Sequence, residues 1–381
     1  MLSSLFPENY GLSMDHMFLH FLQKKMPPKP WPKTIAGLPV YFAPEVGPQH
    51  TPRPFGTPVP RKNGSIAQDK NGRDLEDWEP LFNIIRHYFQ VLEISITEVM
   101  YWNNYVIVIL EHRNTDLSKL PQKVANIACT YLYDDEMGRP SVHQARRLTD
   151  PTPGNPDNSE YNTLCPGLGV SSAYIPSMPG MFLSTTTGVL VNDGVGNKFM
   201  TAASHGFPGE CGPIVLHPLP ADGRCIGEMI MEVGHTDIGL VRLQDNETFR
   251  NVTFQNDDLF DSIYLKKLSS AKDCRTGEYV FLDSPDTGCL EGNFMATSFQ
   301  RVPSDDDGSL EQQWIFTIWG YMGQDSSALP AGMCGSAIWT QTGDVLGFFK
   351  YAPVSGVMKG WCAGTAADEL IKRGFTLVVT P

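Results

Sequence analysis

The stretch PAGMCGSAIW, residues 330–339, decides the fold of this 381-residue chain. Small residues and glycines surround the single thiol of Cys334, and an apolar run follows at once. Glycine permits the tight turn that exposes one side chain and points backbone N–H groups at a common position. A group that attacks a carbonyl needs this arrangement. We therefore interpret Cys334 as a candidate nucleophile at the start of a strand.

Two upstream segments supply the residues that such a nucleophile needs. The run KFMTAASHGF, residues 198–207, is an apolar strand pattern that ends in small residues and His205. The run HTDIGLVRL, residues 235–243, places Asp237 at the head of an alternating apolar strand. A histidine can accept the thiol proton and a carboxylate can orient that histidine. Together the segments predict a Cys-His-Asp triad.

In this order the three segments resemble the chymotrypsin-like protease superfamily, whose signatures are a Thr-Ala-Ala-His strand end, an Asp-Ile-Ala-Leu-Val-Arg-Leu strand and a Gly-Asp-Ser-Gly loop. The resemblance covers residues 173–361. It implies that His205 is the general base, Asp237 its orienting partner and Cys334 the nucleophile. The backbone amides of Gly332 and Cys334 would form the oxyanion hole. With cysteine as nucleophile, the chain is similar to viral 3C-type cysteine proteases and to fungal proteins with trypsin-like domains.

Three residues depart from the family pattern. Ser204 stands between the Ala-Ala pair and the histidine, and Met333 replaces the aspartate with which secreted members bind a newly cleaved N-terminus. Lys350 stands where a small residue normally borders the substrate, so it either favours acidic substrate groups or blocks the cleft. Ser336 is a rival nucleophile. Beside a cysteine endopeptidase, the departures leave a catalytically inactive scaffold or peptide-binding module as the alternative.

The resemblance also implies where a substrate binds. Ala328 and Leu329 precede the nucleophile loop and are expected to border the substrate, together with Lys350 from a later strand. The two residues before the loop are small or apolar and identify no substrate side chain. We expect a protein or peptide substrate and no cofactor.

A metal site is the other chemistry that this region suggests. The stretch between the histidine and aspartate segments is rich in candidate ligands: His205, Cys211, His217, Cys225 and His235. Their spacings are irregular and lack the short Cys–Cys or His–His separations of structural zinc sites. We therefore predict no metal, and we interpret the acidic run at residues 305–307 as a solvated turn rather than a calcium site.

Length and composition predict a mostly β chain with an appended unit. Glycine (35 residues) and proline (30 residues) are abundant, which suits short strands and turns. We expect a small α+β accessory domain with a proline-rich segment over residues 1–150, a linker over 151–172, and a chymotrypsin-like double six-stranded β-barrel with a C-terminal helix over 173–381. Within the accessory domain, helices are predicted at residues 2–22, after Asp77, and at 118–127.

The charge of the chain limits its partners. A formal net charge of −13 disfavours nucleic acid and anionic membranes. No run reaches the ~18 apolar residues of a membrane span. The N-terminus lacks the basic start and apolar core of a secretory signal, and the eight cysteines are scattered, so we expect reduced thiols and a cytoplasmic location. The accessory domain is expected to recruit a protein partner.

Overall fold

Strands dominate the chain, as the sequence predicts, in the part that the computed structural model describes. That part comprises residues 6–15, 18–25, 27, 34–35, 38–43, 79–102, 105–124, 127–140, 146–147, 157, 159–218, 220, 223–254, 262–303, 312–322, 329, 332–353 and 355–379. Ala328 and the acidic run at residues 305–307 lie outside the described residues. No helix within these ranges is long and apolar enough to cross a membrane.

The N-terminal residues form a small sheet, so the helix predicted for residues 2–22 is wrong. Its strands are β1 (Asn9–Asp15), β2 (Phe18–Gln23), β3 (Thr34–Ile35) and β4 (Leu38–Ala43), in the order β1-β2-β4-β3. Leu19 and Phe21 recur at the two-residue period of a strand and pack with Phe42. Periodicity alone does not distinguish a strand from a helix in so short an apolar run, and here pairing with β4 decides.

One helix and four strands follow, as predicted for an α+β unit. They are α1 (Glu79–Val91), β5 (Ile96–Trp102), β6 (Tyr105–Leu110), β7 (Lys123–Val124) and β8 (Ile127–Tyr133). Leu81, Ile85 and Phe89 recur at helical spacing and are buried. The second helix, predicted for residues 118–127, is wrong. Only a 3₁₀ turn forms at Leu117–Lys119, because Pro121 has no N–H with which to continue a helix.

The next ten strands include a closed six-stranded barrel. They are β9 (Arg146–Arg147), β10 (Thr163–Leu164), β11 (Gly169–Ser171), β12 (Met181–Phe182), β13 (Ser184–Asn192), β14 (Lys198–Ala203), β15 (Ile214–His217), β16 (Arg224–Glu232), β17 (Ile238–Leu243) and β18 (Thr248–Phe249). The barrel follows the order β11-β15-β16-β17-β14-β13 and closes because β11 also pairs with β13. Residues 163–171 were predicted as part of the linker, because short strands around Pro166 and Gly167 have the composition of a linker. They form β10 and β11, so the barrel begins earlier.

The last eight strands include a second six-stranded ring, and the very last of them pairs instead with β13 of the first barrel. They are β19 (Lys267–Leu268), β20 (Tyr279–Ser284), β21 (Gly288–Val302), β22 (Gln313–Tyr321), β23 (Ala337–Thr340), β24 (Asp344–Tyr351), β25 (Trp361–Ala366) and β26 (Thr376–Leu377), with the short helix α2 (Asp368–Ile371) before the last. The order β20-β23-β24-β25-β22-β21 closes through pairing of β20 with β21. Both rings contain six strands, so the predicted mostly β fold with two six-stranded barrels is confirmed.

The α+β unit continues the sheet of the second barrel instead of standing apart. β5 pairs with the far half of the long strand β21, between Thr297 and Gln300. Phe82 of α1 stacks on Phe299 of β21 with ring centroids 5.9 Å apart. The unit therefore shares both a sheet and an apolar core with the second barrel. The boundaries of the three domains themselves stay a prediction.

Candidate active site

His205 and Asp237 meet because their strands are neighbours in the first barrel. β14 and β17 run antiparallel, with Ala203 opposite Ile238. His205 lies in a 3₁₀ turn, Ser204–Gly206, directly after β14, and Asp237 directly precedes β17. In an antiparallel pair the end of one strand lies beside the start of the next. The two predicted site residues thus come to the same rim of the barrel.

The Asp237 carboxylate accepts three hydrogen bonds from the neighbouring turn. Oδ2 lies 2.7 Å from Nδ1 of His205, and Oδ1 accepts from the His205 backbone N–H (3.0 Å) and from Oγ of Ser204 (3.1 Å). Burial opposes the charge, but the hydrogen bonds from His205 and the positive charges of His205 and Lys350 outweigh it and lower the pKa of Asp237. Asp237 is therefore a carboxylate that holds the imidazole in one orientation.

The turn before Asp237 has a strained backbone that both barrels support. Asp237 has φ +66° and His235 φ +52°, in the left-handed region that side chains disfavour. Glu232 accepts the Asp237 backbone N–H at 2.8 Å. From the second barrel, Thr365 donates its hydroxyl to the carbonyl of Thr236 at 2.6 Å. These contacts hold the carboxylate at a set position relative to the second barrel.

Cys334 lies in a glycine-flanked turn that packs against the first barrel. Gly332 has φ +99° and Gly335 φ +94°. A Cβ at Gly335 would lie 2.5 Å from the carbonyl oxygen of Thr186, so only glycine fits there. The carbonyl of Cys334 accepts from the Thr186 N–H at 2.9 Å and from the Thr185 hydroxyl. The nucleophile loop of the second barrel is thereby fastened to β13 of the first.

These contacts bring the Cys334 sulfur next to His205. Burial lowers the pKa of His205, but hydrogen bonds to Asp237 and to Cys334 outweigh burial and raise it to about 10. Since Nδ1 faces Asp237, Nε2 is the nitrogen left for the sulfur. The Cys334 thiol also donates to the backbone carbonyl of Lys350 at 3.0 Å. The three residues predicted as a triad therefore form one hydrogen-bonded chain.

The backbone amides around Cys334 are the groups predicted to bind an oxyanion. Within the described part of the chain, neither the N–H of Gly332 nor that of Cys334 has a hydrogen-bond acceptor. Buried or half-buried amides nearly always find a partner, so two amides beside a thiol with no acceptor among the described residues are unusual. These are the two amides predicted for the oxyanion hole.

Ser336, the rival nucleophile, is out of reach of a substrate. Its side chain is fully buried, and its hydroxyl donates to the carbonyl of Met333 at 2.7 Å. The Met333 side chain lies in the apolar core of the second barrel. Methionine at this position therefore contributes to packing.

The predicted substrate-binding residues are only partly within the described chain. Leu329 is half-buried and packs on the core of the second barrel. Lys350 is also half-buried, next to the thiol. Ala328 lies outside the described residues, so its position stays a prediction.

The candidate metal ligands are dispersed and otherwise engaged. His217 is locked by two backbone contacts: its Nδ1 lies 2.8 Å from the carbonyl of Gly169, and its Nε2 accepts the Tyr161 N–H at 3.1 Å. Among the described residues no three His, Cys, Asp or Glu side chains come close enough to hold a metal ion. All eight cysteines are free thiols.

Two supporting residues were not assigned a role from the sequence. Ser204 was visible only as a departure from the family pattern, yet it donates to the Asp237 carboxylate. Glu232 lies five residues before Asp237 and had no motif of its own. The Ser204 hydroxyl directly before His205 was the only feature of the sequence that pointed to such support. Whether it reaches Asp237 depends on the conformation of the turn.

Comparisons with known proteins give likeness at low identity. No protein-family model matches the chain, and no curated protein matches it. Among solved structures, a glutamic-acid-specific serine protease has a TM-score of 0.39 at 16% identity, covering 56% of this chain and 100% of its own. The Nocardiopsis protease NAPase has a TM-score of 0.38 at 14% identity, covering 56% of this chain and 98% of its own. A Cellulomonas bogoriensis chymotrypsin has a TM-score of 0.39 at 12% identity, covering 57% of this chain and 100% of its own. At such scores the fold assignment stands on the strand pairings described above.

Proposed function

We propose that this protein is a cysteine endopeptidase of chymotrypsin-like fold. The observation that carries the proposal is the position of His205, which contacts the Asp237 carboxylate at 2.7 Å on one side and the Cys334 sulfur on the other. A nucleophile, a base and a group that orients the base are the parts that acyl transfer requires. The solved structures that resemble the chain are proteases by name, which agrees with this activity.

A thiolate–imidazolium pair forms when the Cys334 thiol, which otherwise donates to the Lys350 carbonyl, passes its proton to neutral His205. With a pKa of about 10, His205 holds both ring protons at neutral pH, one directed to Asp237 and one to the sulfur. A neighbouring imidazolium stabilises a thiolate, which is the nucleophilic form of cysteine. Because cysteine is activated in this way, Asp237 orients the ring and is a supporting residue.

Acylation then uses the free amides. The Cys334 sulfur attacks the scissile carbonyl carbon and forms a C–S bond, while the carbonyl oxygen becomes an oxyanion that accepts hydrogen bonds from the N–H groups of Gly332 and Cys334. His205 gives its Nε2 proton to the amide nitrogen, the C–N bond breaks, and the amine leaves. A thioester remains on Cys334.

Deacylation reverses the proton transfer. Neutral His205 takes a proton from water as the water oxygen attacks the thioester carbon. The C–S bond breaks, the carboxylic acid leaves, and the sulfur departs as the thiolate beside the new imidazolium. No cofactor enters either step. A reducing compartment such as the cytoplasm would keep the free thiols in the required state.

Ala328, Leu329 and Lys350 complete the proposal as the residues that border the substrate. Leu329 supplies an apolar wall beside the core of the second barrel. Lys350 supplies a positive charge that acts on Asp237, and its backbone carbonyl contacts the thiol.

Intact-mass labelling with iodoacetamide near neutral pH tests the proposal. We expect one fast adduct on the wild-type protein, no fast adduct on Cys334→Ala, and labelling at least about a hundredfold slower on His205→Ala. Cys225→Ala is the matched control, since this half-buried cysteine lies away from the site and its loss should leave the fast adduct intact.

A peptide library then separates the enzyme from the scaffold alternative. Cleavage by the wild-type protein that disappears in Cys334→Ala supports the endopeptidase. Peptide binding without cleavage supports a protease-fold binding module. Labelling that is slow, equal to that of the other cysteines and indifferent to His205 contradicts the thiol mechanism.

A further inference from the structure

Lys350 occupies a β-bulge directly at the candidate site. In the pairing of β24 with β25, Phe349 lies opposite Gly364 and Tyr351 opposite Ala363, so Lys350 is the extra residue between two paired positions. A bulge bends its strand and redirects the side chain of the extra residue. The bulge also frees the Lys350 carbonyl from the ladder, and that carbonyl accepts the Cys334 thiol at 3.0 Å.

Among the described residues, the Lys350 ammonium has no carboxylate partner of the kind that two other cations have. Lys372 pairs with Glu369, and the half-buried Arg301 pairs with Glu111 at 2.6 Å. Lys350 is half-buried as well, but no carboxylate in the described part of the chain lies within ion-pair distance of it. A partly desolvated cation without a partner is costly, so an anionic ligand that supplies one binds favourably.

Asp237 is an acid whose pKa the charge of Lys350 lowers, and its carboxylate already has hydrogen-bond donors. The charge of Lys350 acts on Asp237 through space, without a hydrogen bond or ion pair between them. The Asp237 carboxylate accepts from Ser204 and twice from His205. The ammonium is therefore available to a group that enters the site from outside.

We infer that Lys350 selects substrates that carry an aspartate or glutamate side chain within one or two residues of the scissile bond. The inference rests on the proposed endopeptidase function and names its substrate class. Closeness to the bond follows because the same residue contacts the nucleophile through its carbonyl. Lysine carries its charge as a compact ammonium on a flexible stem, which suits carboxylates at slightly different positions.

Peptidyl vinyl sulfones test the inference, because a thiolate adds to their double bond and the adduct is counted by mass. Four probes are matched in sequence and carry Glu, Gln, Asp or Asn in the residue next to the sulfone, and four more carry them one residue further away. The proteins are the wild type, Lys350→Met, Lys350→Arg and Lys350→Glu. Each labelling rate is divided by the iodoacetamide rate of the same protein, so a general change in thiol reactivity cancels.

We expect the wild type to label about tenfold faster with an acidic probe than with its amide counterpart, as one half-buried charge pair supports. The ratio should fall to near one in Lys350→Met and persist in Lys350→Arg. In Lys350→Glu the ratio should invert, so that each acidic probe labels more slowly than its amide counterpart. Lys198→Met, which removes an exposed lysine at the start of β14, is the control that should keep the wild-type ratio.

A wild-type ratio near one overturns the inference, as does a ratio in Lys350→Met equal to that of the wild type. An equal change in rate with every probe also overturns it: a loss would mean that the lysine only supports the site, and a gain that it blocks the cleft. If iodoacetamide and all the vinyl sulfones label slowly, the proposed function fails first, and the two failures are thereby distinguishable.

Discussion

Two histidines in the first barrel show how different surroundings give one side chain opposite properties. Next to Nδ1, His205 has a carboxylate and His217 has the Gly169 carbonyl. His205 is 14% exposed and faces a thiol, whereas His217 is 1% exposed and accepts a backbone N–H. The pKa of His205 is raised to about 10, while burial lowers the pKa of His217.

A hydrogen-bonded carboxylate and a partly exposed ring, more than the degree of burial, distinguish His205 from His217. Both rings are largely removed from water, which by itself disfavours the imidazolium. Only His205 has a carboxylate hydrogen-bonded to its ring, whereas near His217 the charge of Arg224 opposes those of Glu247 and Glu160. His217 uses both nitrogens to join β11 to the segment at Tyr161.

The largest expected effect is a difference in stability between the two alanine variants. His217→Ala leaves the Tyr161 N–H and the Gly169 carbonyl without partners in a buried site, so the free energy of unfolding should fall by about 2–4 kcal/mol. At pH 10, where the charge of His205 no longer adds stability, His205→Ala should cost less than half as much, because Asp237 keeps its hydrogen bonds from the Ser204 hydroxyl and the backbone N–H of residue 205. Urea titration of both proteins measures the difference. Equal losses would contradict the assignment of His217 to structure.

Removing the Asp237 carboxylate should lower the pKa of His205 towards that of His217. In Asp237→Asn the pKa of His205 should fall by about 1–3 units, because an opposite charge at this distance shifts a pKa by that amount. NMR titration of the His205 imidazole measures the shift, with the His217 signal as internal control. An unchanged His205 pKa would show that Asp237 does not control the ring.

The smallest expected effect is on the pH dependence of the free energy of unfolding, to which His205 and His217 contribute with opposite slopes. The folded pKa of His205 lies above its ordinary value of 6.5, so its contribution is complete below pH 6.5 and is lost as pH rises towards about 10. The folded pKa of His217 lies below 6.5, so its contribution is present above pH 6.5 and is lost as pH falls. Each slope is at most about 1.4 kcal/mol per pH unit.

Denaturant titrations from pH 5 to pH 10 measure both slopes. The difference between wild type and His205→Gln should change only on the alkaline side, and the difference between wild type and His217→Gln only on the acid side. If both differences change on the same side, the contrast between the two histidines is wrong.

The segments that predicted the fold are those in which local chemistry and chain order agree. A strand that ends in small residues and a histidine, an aspartate at a strand head and a glycine turn around a thiol each carry their own signal. The double barrel follows from them. The N-terminal sheet does not, because an apolar run of six residues becomes a strand only when a partner such as β4 is present.

His205, Asp237 and Cys334, in that order, can be identified from sequence together with the glycines of the turn, because strand ends and tight turns are local and residue-specific. Three other features become visible only in the folded chain: Ser204 supports Asp237, Lys350 lies in a bulge beside the thiol, and β5 extends the second barrel. These features depend on which strands pair and in which register. Such pairings join residues far apart in the chain, and no local pattern encodes them.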